Sequence, residues 1–360
     1  MAFPTGWTHR WPIDINADGV ISAAVTDWPC LVTDAHFPAG AWALMQETGA
    51  DLRFSADEAG ATELYYDDPR LDVAGESAHL YVQRSLASDA DTRVWAWVGN
   101  AEAEAPTTVW KQNTYPASIV AWWPMEEGAG TTIYDRTSNA NNGTMTNMDA
   151  ATDWVQDANG NYALDFDGSN DYIAVPHSAE FNNSQMSILT RISFNARDRS
   201  YATVFGKKLV WNGATGYYVE WNDVLDNWKL RGSGAEYPGV AHNPALDTYY
   251  SLGFVFDGTT GTAYVDSTTS GGGTIDQIVG DATDIWIGSF VGGASYWRGR
   301  IESMFVAADA FSADEIAAHH LMLSDPATWA TAGDLAAVST NRAHFGGRNL
   351  GKPMFRRANL

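Results

Sequence analysis

The most chemically suggestive residues of the chain carry oxygen. The run Asp135-Arg136-Thr137-Ser138-Asn139-Ala140-Asn141-Asn142-Gly143 gathers a carboxylate, three amides and two hydroxyls. Calcium takes six to eight oxygen ligands, commonly from loops of this composition. Asp135 and Asn141 are therefore candidate ligands of a structural calcium ion. Asp167, with Asn170 close by, forms a second acidic turn that would contribute. Plain turn-making is the competing role, because Asp and Asn side chains bond their own backbone two residues on. A second set is aromatic. Trp211-Asn212-Gly213 and Trp221-Asn222-Asp223 place an amide beside an indole, and Trp228, Tyr237 and Trp297 follow in the same region. Aromatic faces stack on the apolar side of sugar rings while amides and carboxylates fix the hydroxyls. Trp211, Trp221, Asn222, Trp228, Tyr237 and Trp297 are accordingly candidate glycan-binding residues. The competing role for each tryptophan is to fill a core or line a subunit contact.

Patterns for bond-making and bond-breaking are absent. No Gly-x-Ser-x-Gly elbow or His-Glu-x-x-His pair occurs. His319 and His320 are neighbours on a helical stretch, roughly 100° apart, so they cannot clasp a metal as an i, i+4 pair would. Gly346 to Lys352 approaches a phosphate loop, but Pro353 stands where a magnesium-binding Ser or Thr belongs. Glycoside cleavage needs two carboxylates on either side of the bond, and the adjacent side chains of Glu126 and Glu127 diverge. A non-enzymatic protein is expected.

The elements that would position these residues are strands. The chain has 360 residues, 45% hydrophobic and 18% charged, enough for two or three domains with real cores. Its 33 glycines and 16 tryptophans, spread among short alternating segments, fit an all-β architecture. In Arg93-Val94-Trp95-Ala96-Trp97-Val98, both faces are apolar, which predicts a central strand. Leu252, Phe254 and Phe256 share one face of a strand ending at the turn pair Asp257-Gly258, and Thr262-Ala263-Tyr264-Val265 returns. Ile285 and Ile287 face inward. Ser267 to Gly273 reads as a mobile Ser/Thr/Gly tip. Ser312-Ala313-Asp314-Glu315 is a capping box opening a helix that runs to about Met322.

Charge and cysteine usage narrow the setting. A net charge of −23 repels phosphate backbones, so no nucleic acid partner is expected. A single cysteine, Cys30, precludes an internal disulfide. Met1 to Val20 lacks the apolar core of a signal peptide, and no stretch reaches the roughly 20 apolar residues of a membrane span. A chain made and left in the cytosol, without membrane insertion, is the expectation. After Asp334 no acidic residue occurs, and Arg342, Arg348, Lys352, Phe355, Arg356 and Arg357 form a basic, Gly-rich, partly aromatic arm. Such an arm on an acidic body suits docking onto an acidic neighbour, including another copy of the chain.

Two family resemblances add to this. Ile119-Val120-Ala121-Trp122-Trp123-Pro124-Met125-Glu126-Glu127-Gly128-Ala129-Gly130, the Asp135 loop, Leu164-Asp165-Phe166-Asp167-Gly168-Ser169-Asn170-Asp171-Tyr172-Ile173, Gly299-Arg300-Ile301-Glu302 and Phe311-Ser312-Ala313-Asp314-Glu315-Ile316 follow in order. This succession resembles the LamG-like branch of the concanavalin A-like lectin and glucanase superfamily. The resemblance implies a jelly roll that binds rather than catalyses. It implies calcium ligation at Asp135 and at an acidic residue in the position of Glu302. The glucanase members carry Glu-x-Asp-x-x-Glu or a close variant on one strand, and no such run is present here. Upstream, Trp7-Thr8-His9-Arg10-Trp11-Pro12-Ile13-Asp14-Ile15, Asp27-Trp28-Pro29-Cys30-Leu31-Val32, Gly49-Ala50-Asp51-Leu52-Arg53-Phe54 and Trp97-Val98-Gly99-Asn100 resemble a β-rich domain of unknown function. That domain often precedes LamG-like modules in surface proteins; its last motif usually reads Tyr-Tyr-Gly-Asn, so Trp97-Val98 departs from it.

The expected fold is all-β, with two β-sandwich domains, the second a concanavalin A-like jelly roll, one short C-terminal helix and an extended basic tail. The expected boundaries are 1–105 for the first domain, 106–118 for a linker, 119–325 for the jelly roll and 326–360 for the arm. The expected function is a virion surface protein of a tailed phage or phage-like particle: a head decoration, spike or fibre. It would contact other virion proteins or copies of itself, as a homo-oligomer, and host polysaccharide. A bacterial cell-surface adhesin or carbohydrate-binding module is the alternative, and a glycoside hydrolase the second alternative.

Overall fold

Alternation builds the first unit. In β1 (His9–Ile15), Trp11, Ile13 and Ile15 are buried while Arg10, Pro12 and Asp14 line the other face. The computed structural model describes residues 3–198, 201–209, 215–223, 225–232, 240–274, 280–293 and 295–338. β2 (Val25–Thr33), helix α1 (Ala41–Leu44), β3 (Arg53–Ser55), β4 (Glu63–Leu64), β5 (Tyr66–Asp72), β6 (Ser77–Leu86) and β7 (Thr92–Val98) complete this part of the chain. β7 lies between β1 and β3, the central place its two apolar faces require. Val94, Ala96 and Val98 enter the core. Trp95 and Trp97 line the outer face, where the Arg10 guanidinium sits 5.5 and 5.1 Å from their ring centres. A three-stranded sheet, β2-β6-β5, covers the other side of that core.

Helix α2 (Thr108–Gln112) starts at Thr107, whose hydroxyl accepts the Trp110 amide at 3.2 Å. The segment read as a linker is therefore partly helical, and α2 lies against β5. The second unit follows with β8 (Ile119–Trp123), β9 (Thr132–Ile133), β10 (Gly143–Thr146), β11 (Trp154–Gln156), β12 (Tyr162–Asp167) and β13 (Tyr172–Val175). β14 (Met186–Phe194), β15 (Ala202–Lys207), β16 (Tyr217–Asn222), β17 (Asn227–Arg231) and β18 (Val240–Ala241) come next. β19 (Tyr249–Phe256), β20 (Thr260–Val265), β21 (Thr268–Thr274), β22 (Ile285–Ile287) and β23 (Arg298–Ala307) end it. Two antiparallel sheets result, β18-β17-β16-β15-β22-β13-β10-β9 and β11-β12-β23-β14-β19-β20-β21, with β8 also on β23. Their facing side chains, among them Ile173, Phe194, Val219, Phe254, Ile285 and Ile301, form the sandwich core. The expected all-β fold and jelly roll hold.

Three local differences from the sequence reading have physical causes. The Ser267–Gly273 stretch is not a loose tip. Asp266 and Ser267 take φ of +48° and +65°, as a two-residue hairpin turn demands, and β21 pairs back on β20. Helix α3 (Ala313–Ser324) begins at the Ser312/Glu315 capping box and runs two residues past Met322. The chain then turns through α4 (Pro326–Trp329) and returns to the first unit. There β24 (Ala330–Ala332) and β25 (Ala336–Ala337) pair antiparallel with β1. Trp329 is fully buried and its indole N–H donates to the Leu31 carbonyl at 3.1 Å. Residues 326–338 are thus the edge of the first sheet, not the start of a free arm. Arg342, Arg348, Lys352, Phe355, Arg356 and Arg357 lie outside the described residues. No helix among the described residues is long and apolar enough to cross a membrane.

The two units share one apolar cluster. β8 explains why: all five of its residues are buried, with Trp123 in the sandwich core and Trp122 in the cluster between the units. The Trp122 ring meets Tyr81 edge-on at 5.3 Å and Phe305 at 5.0 Å. Trp28 of β2 meets Phe305 and Phe311. Asp314 of α3 accepts the backbone amides of Ser22 and Ala23 at 2.8 and 3.0 Å.

Candidate functional site

The oxygen-rich loop is organised by its own carboxylate. Asp135 Oδ1 accepts the amides of Trp122 and Thr137 at 3.0 and 2.9 Å. Its Oδ2 accepts the Thr137 hydroxyl at 3.0 Å and the Asn141 amide at 2.8 Å. Asn141 turns its NH2 to the Val120 carbonyl at 3.1 Å. Asp167 Oδ1 accepts the amide of Ser169 at 2.6 Å, an Asx turn. Glu302 lies on β23 and accepts from Arg191 Nε at 2.8 Å. Asp135, Asp167 and Glu302 accept from protein donors, while Asn141 itself donates to Asp135 and to the Val120 carbonyl. Among the described residues, no three His, Cys, Asp or Glu side chains group as metal ligands. The expected calcium set does not fit a cation: four N–H and O–H donors do around Asp135 what an ion would do.

The expected glycan residues are corrected in the same way. Trp221, Trp228 and Trp297 are 1%, 0% and 0% exposed and surround Phe194 at 5.3, 5.6 and 4.7 Å. They fill the sandwich and offer no face to a sugar. Asn222 is buried too, its side-chain oxygen closing a turn onto the Leu225 amide at 3.1 Å. Trp211 and Tyr237 lie outside the described residues.

An aromatic pair that the sequence reading passed over stands on the outer face of the β18-to-β9 sheet. One residue per strand forms a row across it: Thr132, Thr144, Ala174, Trp286, Gly206 and Tyr218 are successive register partners. The neighbouring row pairs Thr146 with Tyr172. Tyr172 and Trp286 are half-buried and stack, ring centres 3.8 Å apart and 11° from parallel. Thr132, Thr144 and Ala174 make a low shelf beside them. The shelf ends at Gly206, where a Cβ would come within 2.6 Å of the Ser289 carbonyl oxygen, because residues 289–290 cross the sheet there. The sequence held the signal: with Ile285 and Ile287 inward, Trp286 must face out.

The carboxylates Glu126 and Glu302 are sealed in. Glu126 is 3% exposed, 3.3 Å from both Arg70 Nη1 and His79 Nδ1, and accepts the Tyr162 amide at 3.2 Å. Burial pushes its carboxyl well above the usual range, Arg70 opposing and Glu302 adding to the rise. Burial likewise raises Glu302 to about 7, against the pull of Arg191. Both are buried beside Tyr81 where the units meet, so neither presents its carboxylate to solvent.

Residues 167–317 match the family model of the concanavalin A-like lectin/glucanases superfamily, so the second unit carries that jelly roll. Solved structures with a similar chain path include Trypanosoma rangeli sialidase, at 12% identity and a TM-score of 0.44, over 68% of this chain and 43% of that one. Another is domain 4 of AbnA, a GH43 extracellular arabinanase from Geobacillus stearothermophilus, in complex with arabinotriose. It has 16% identity and a TM-score of 0.43, over 56% of this chain and 98% of that one. The chain spans under half the length of the sialidase. No curated protein matches the sequence.

Proposed function

We propose that this is a non-catalytic glycan-binding surface protein, whose second unit holds a sugar ring against Trp286 and Tyr172. The carrying observation is the part-exposed aromatic stack beside a shelf of Thr132, Thr144 and Ala174, at the β9-to-β22 end of the sheet. Stacking supplies the apolar contact and the threonine hydroxyls supply hydrogen bonds. The lectin-type family match over residues 167–317 supports the same reading. The burial of Glu126 and Glu302 supports binding without cleavage.

The setting we propose is the surface of a tailed-phage or phage-like particle, as a head decoration, spike or fibre. Its support is a chain with one buried cysteine and a basic C-terminal stretch on an acidic body. A bacterial cell-surface adhesin uses the same sheet face and is favoured by the order of the two units.

Binding to a panel of bacterial polysaccharides by affinity electrophoresis tests the reading. Trp286→Ala is expected to weaken retardation about tenfold, the loss of roughly 1.4 kcal/mol of stacking. No reducing sugar should be released during the run. Undiminished retardation of the variant, or turnover, would refute it.

A further inference from the structure

The cleft between the two units holds a second set of groups suited to a ligand, and we propose that it is a separate site for one neutral hexopyranose. The proposal rests on the glycan-binding reading above and adds a site to it. The cleft has a volume of about 450 Å³, within the usual range for small-molecule sites, and opens where α2 and β5 face the Asp135 loop. Asp67, Asp68 and Lys111 line it from the first unit, and Tyr134, Arg136 and Asn142 from the second.

Both walls are fixed before any ligand arrives. Asp67 accepts Arg136 Nε at 2.7 Å and Nη2 at 2.5 Å, a two-pronged bond across the cleft floor, and also the Tyr115 hydroxyl at 2.8 Å. Lys111 pairs with Asp68. Asn142 Oδ1 accepts the Asp135 amide at 2.9 Å, so the Asp135 network sets its angle. What these bonds leave over is specific. Lys111 spends one of its three N–H donors, and Asn142 keeps its NH2 unengaged among the described residues. Asp68 keeps one oxygen. A donor and an acceptor side by side match two adjacent ring hydroxyls, each able to give and take a hydrogen bond. Tyr134 is 49% exposed at the rim and offers its ring for stacking.

Charge selects against an acidic sugar. Asp67, Asp68 and Asp135 line the cleft against Lys111 and Arg136, and both cations are already paired. A ligand carboxylate would meet repulsion that a neutral ring escapes.

Saturation-transfer NMR on the full chain tests this with glucose, galactose, mannose, N-acetylglucosamine and glucuronate. Each sugar is offered to wild type, Trp286→Ala, Tyr134→Ala and the double variant; the exposure of Tyr134 makes its removal compatible with folding. At least one neutral sugar should keep its transfer in Trp286→Ala and lose about tenfold in the double variant. Glucuronate should give less transfer than glucose. Complete loss in Trp286→Ala overturns the cleft site while the sheet-face site stands. Loss in Tyr134→Ala with none in Trp286→Ala upholds the cleft and removes the sheet face. Transfer that persists in the double variant, is strongest for glucuronate or is absent throughout overturns the cleft site. Lys111→Met should reduce the transfer remaining in Trp286→Ala; an unchanged signal also counts against the proposal.

Discussion

Trp286 and Trp228 carry the same side chain in neighbouring parts of one sheet and do opposite work. Trp228 shares a strand face with Leu230, and both enter the core. Trp286 lies between the core residues Ile285 and Ile287 and so emerges on the other side. Trp228→Ala would leave a cavity ringed by Phe194, Trp221 and Trp297, at a cost of about 3–5 kcal/mol. Thermal melting should show a large drop for that variant and a small one for Trp286→Ala, while sugar binding falls only in the second. A comparable drop in both would place Trp286 in the core.

His79 gives the residue scale its pH dependence. Burial, with Arg70 beside it, lowers its imidazole to about 3. An unfolded chain takes up that proton near 6.5, and the folded one does not. The contribution is present above about 6.5 and is lost as pH falls towards 3, on the order of 5 kcal/mol over the whole range and about 2 kcal/mol of it by pH 5. Glu302 has the opposite sign: its carboxyl, raised to about 7, stabilises below the ordinary carboxylate range and loses that contribution as pH rises towards 7. His79→Gln should flatten the fall in melting temperature between pH 7 and pH 5. An unchanged slope would mean that His79 does not contribute to acid sensitivity.

At the scale of elements, what the sequence made legible follows from periodicity. The central place of β7, the Asp257-Gly258 hairpin and the α3 capping box each rest on a local pattern, and each is found. β24 has no such pattern. Ala330-Thr331-Ala332 is too short to show a period, and its partner β1 lies more than three hundred residues upstream. The candidate sites failed for a related reason. Composition marks an Asp as able to bind calcium or to hold a turn, and only the positions of the Trp122, Thr137 and Asn141 amides decide between them. The cleft was invisible for want of any local signal that α2 would face Tyr134. β24 also divides the C-terminal region into two roles that truncation separates. A chain ending at Val338 should melt as the full chain does, yet fail to enter the proposed particle or oligomer. A chain ending at Asp325 removes Trp329 and the strand covering β1, and should lose several kcal/mol, since deleting one buried Trp side chain alone costs about 3–5 kcal/mol. Equal melting of the two truncations would contradict the pairing, and normal incorporation of the longer one would refute the arm.

At the scale of the whole molecule, the shared cluster makes two sandwiches behave as one. Trp28, Tyr81 and Trp329 from the first unit and Trp122, Phe305 and Phe311 from the second occupy a single buried core. Polar links reinforce it, with Arg136 bound to Asp67, Arg70 to the Gly160 carbonyl at 2.6 Å, and Asp314 to Ser22 and Ala23. Removing either unit would expose the aromatic surface of the other, so neither can unfold at little cost while its neighbour stays folded. Calorimetry should therefore show one transition, with matching calorimetric and van't Hoff enthalpies. Trp122→Ala is the sharpest probe, because Trp122 touches Tyr81 on one side and Phe305 on the other. It should cost about 3–5 kcal/mol and split the transition in two. Two separated transitions in the wild type would mean that the units only lean on each other, and the cleft between them would then open and close with their motion instead of presenting fixed walls to a ligand.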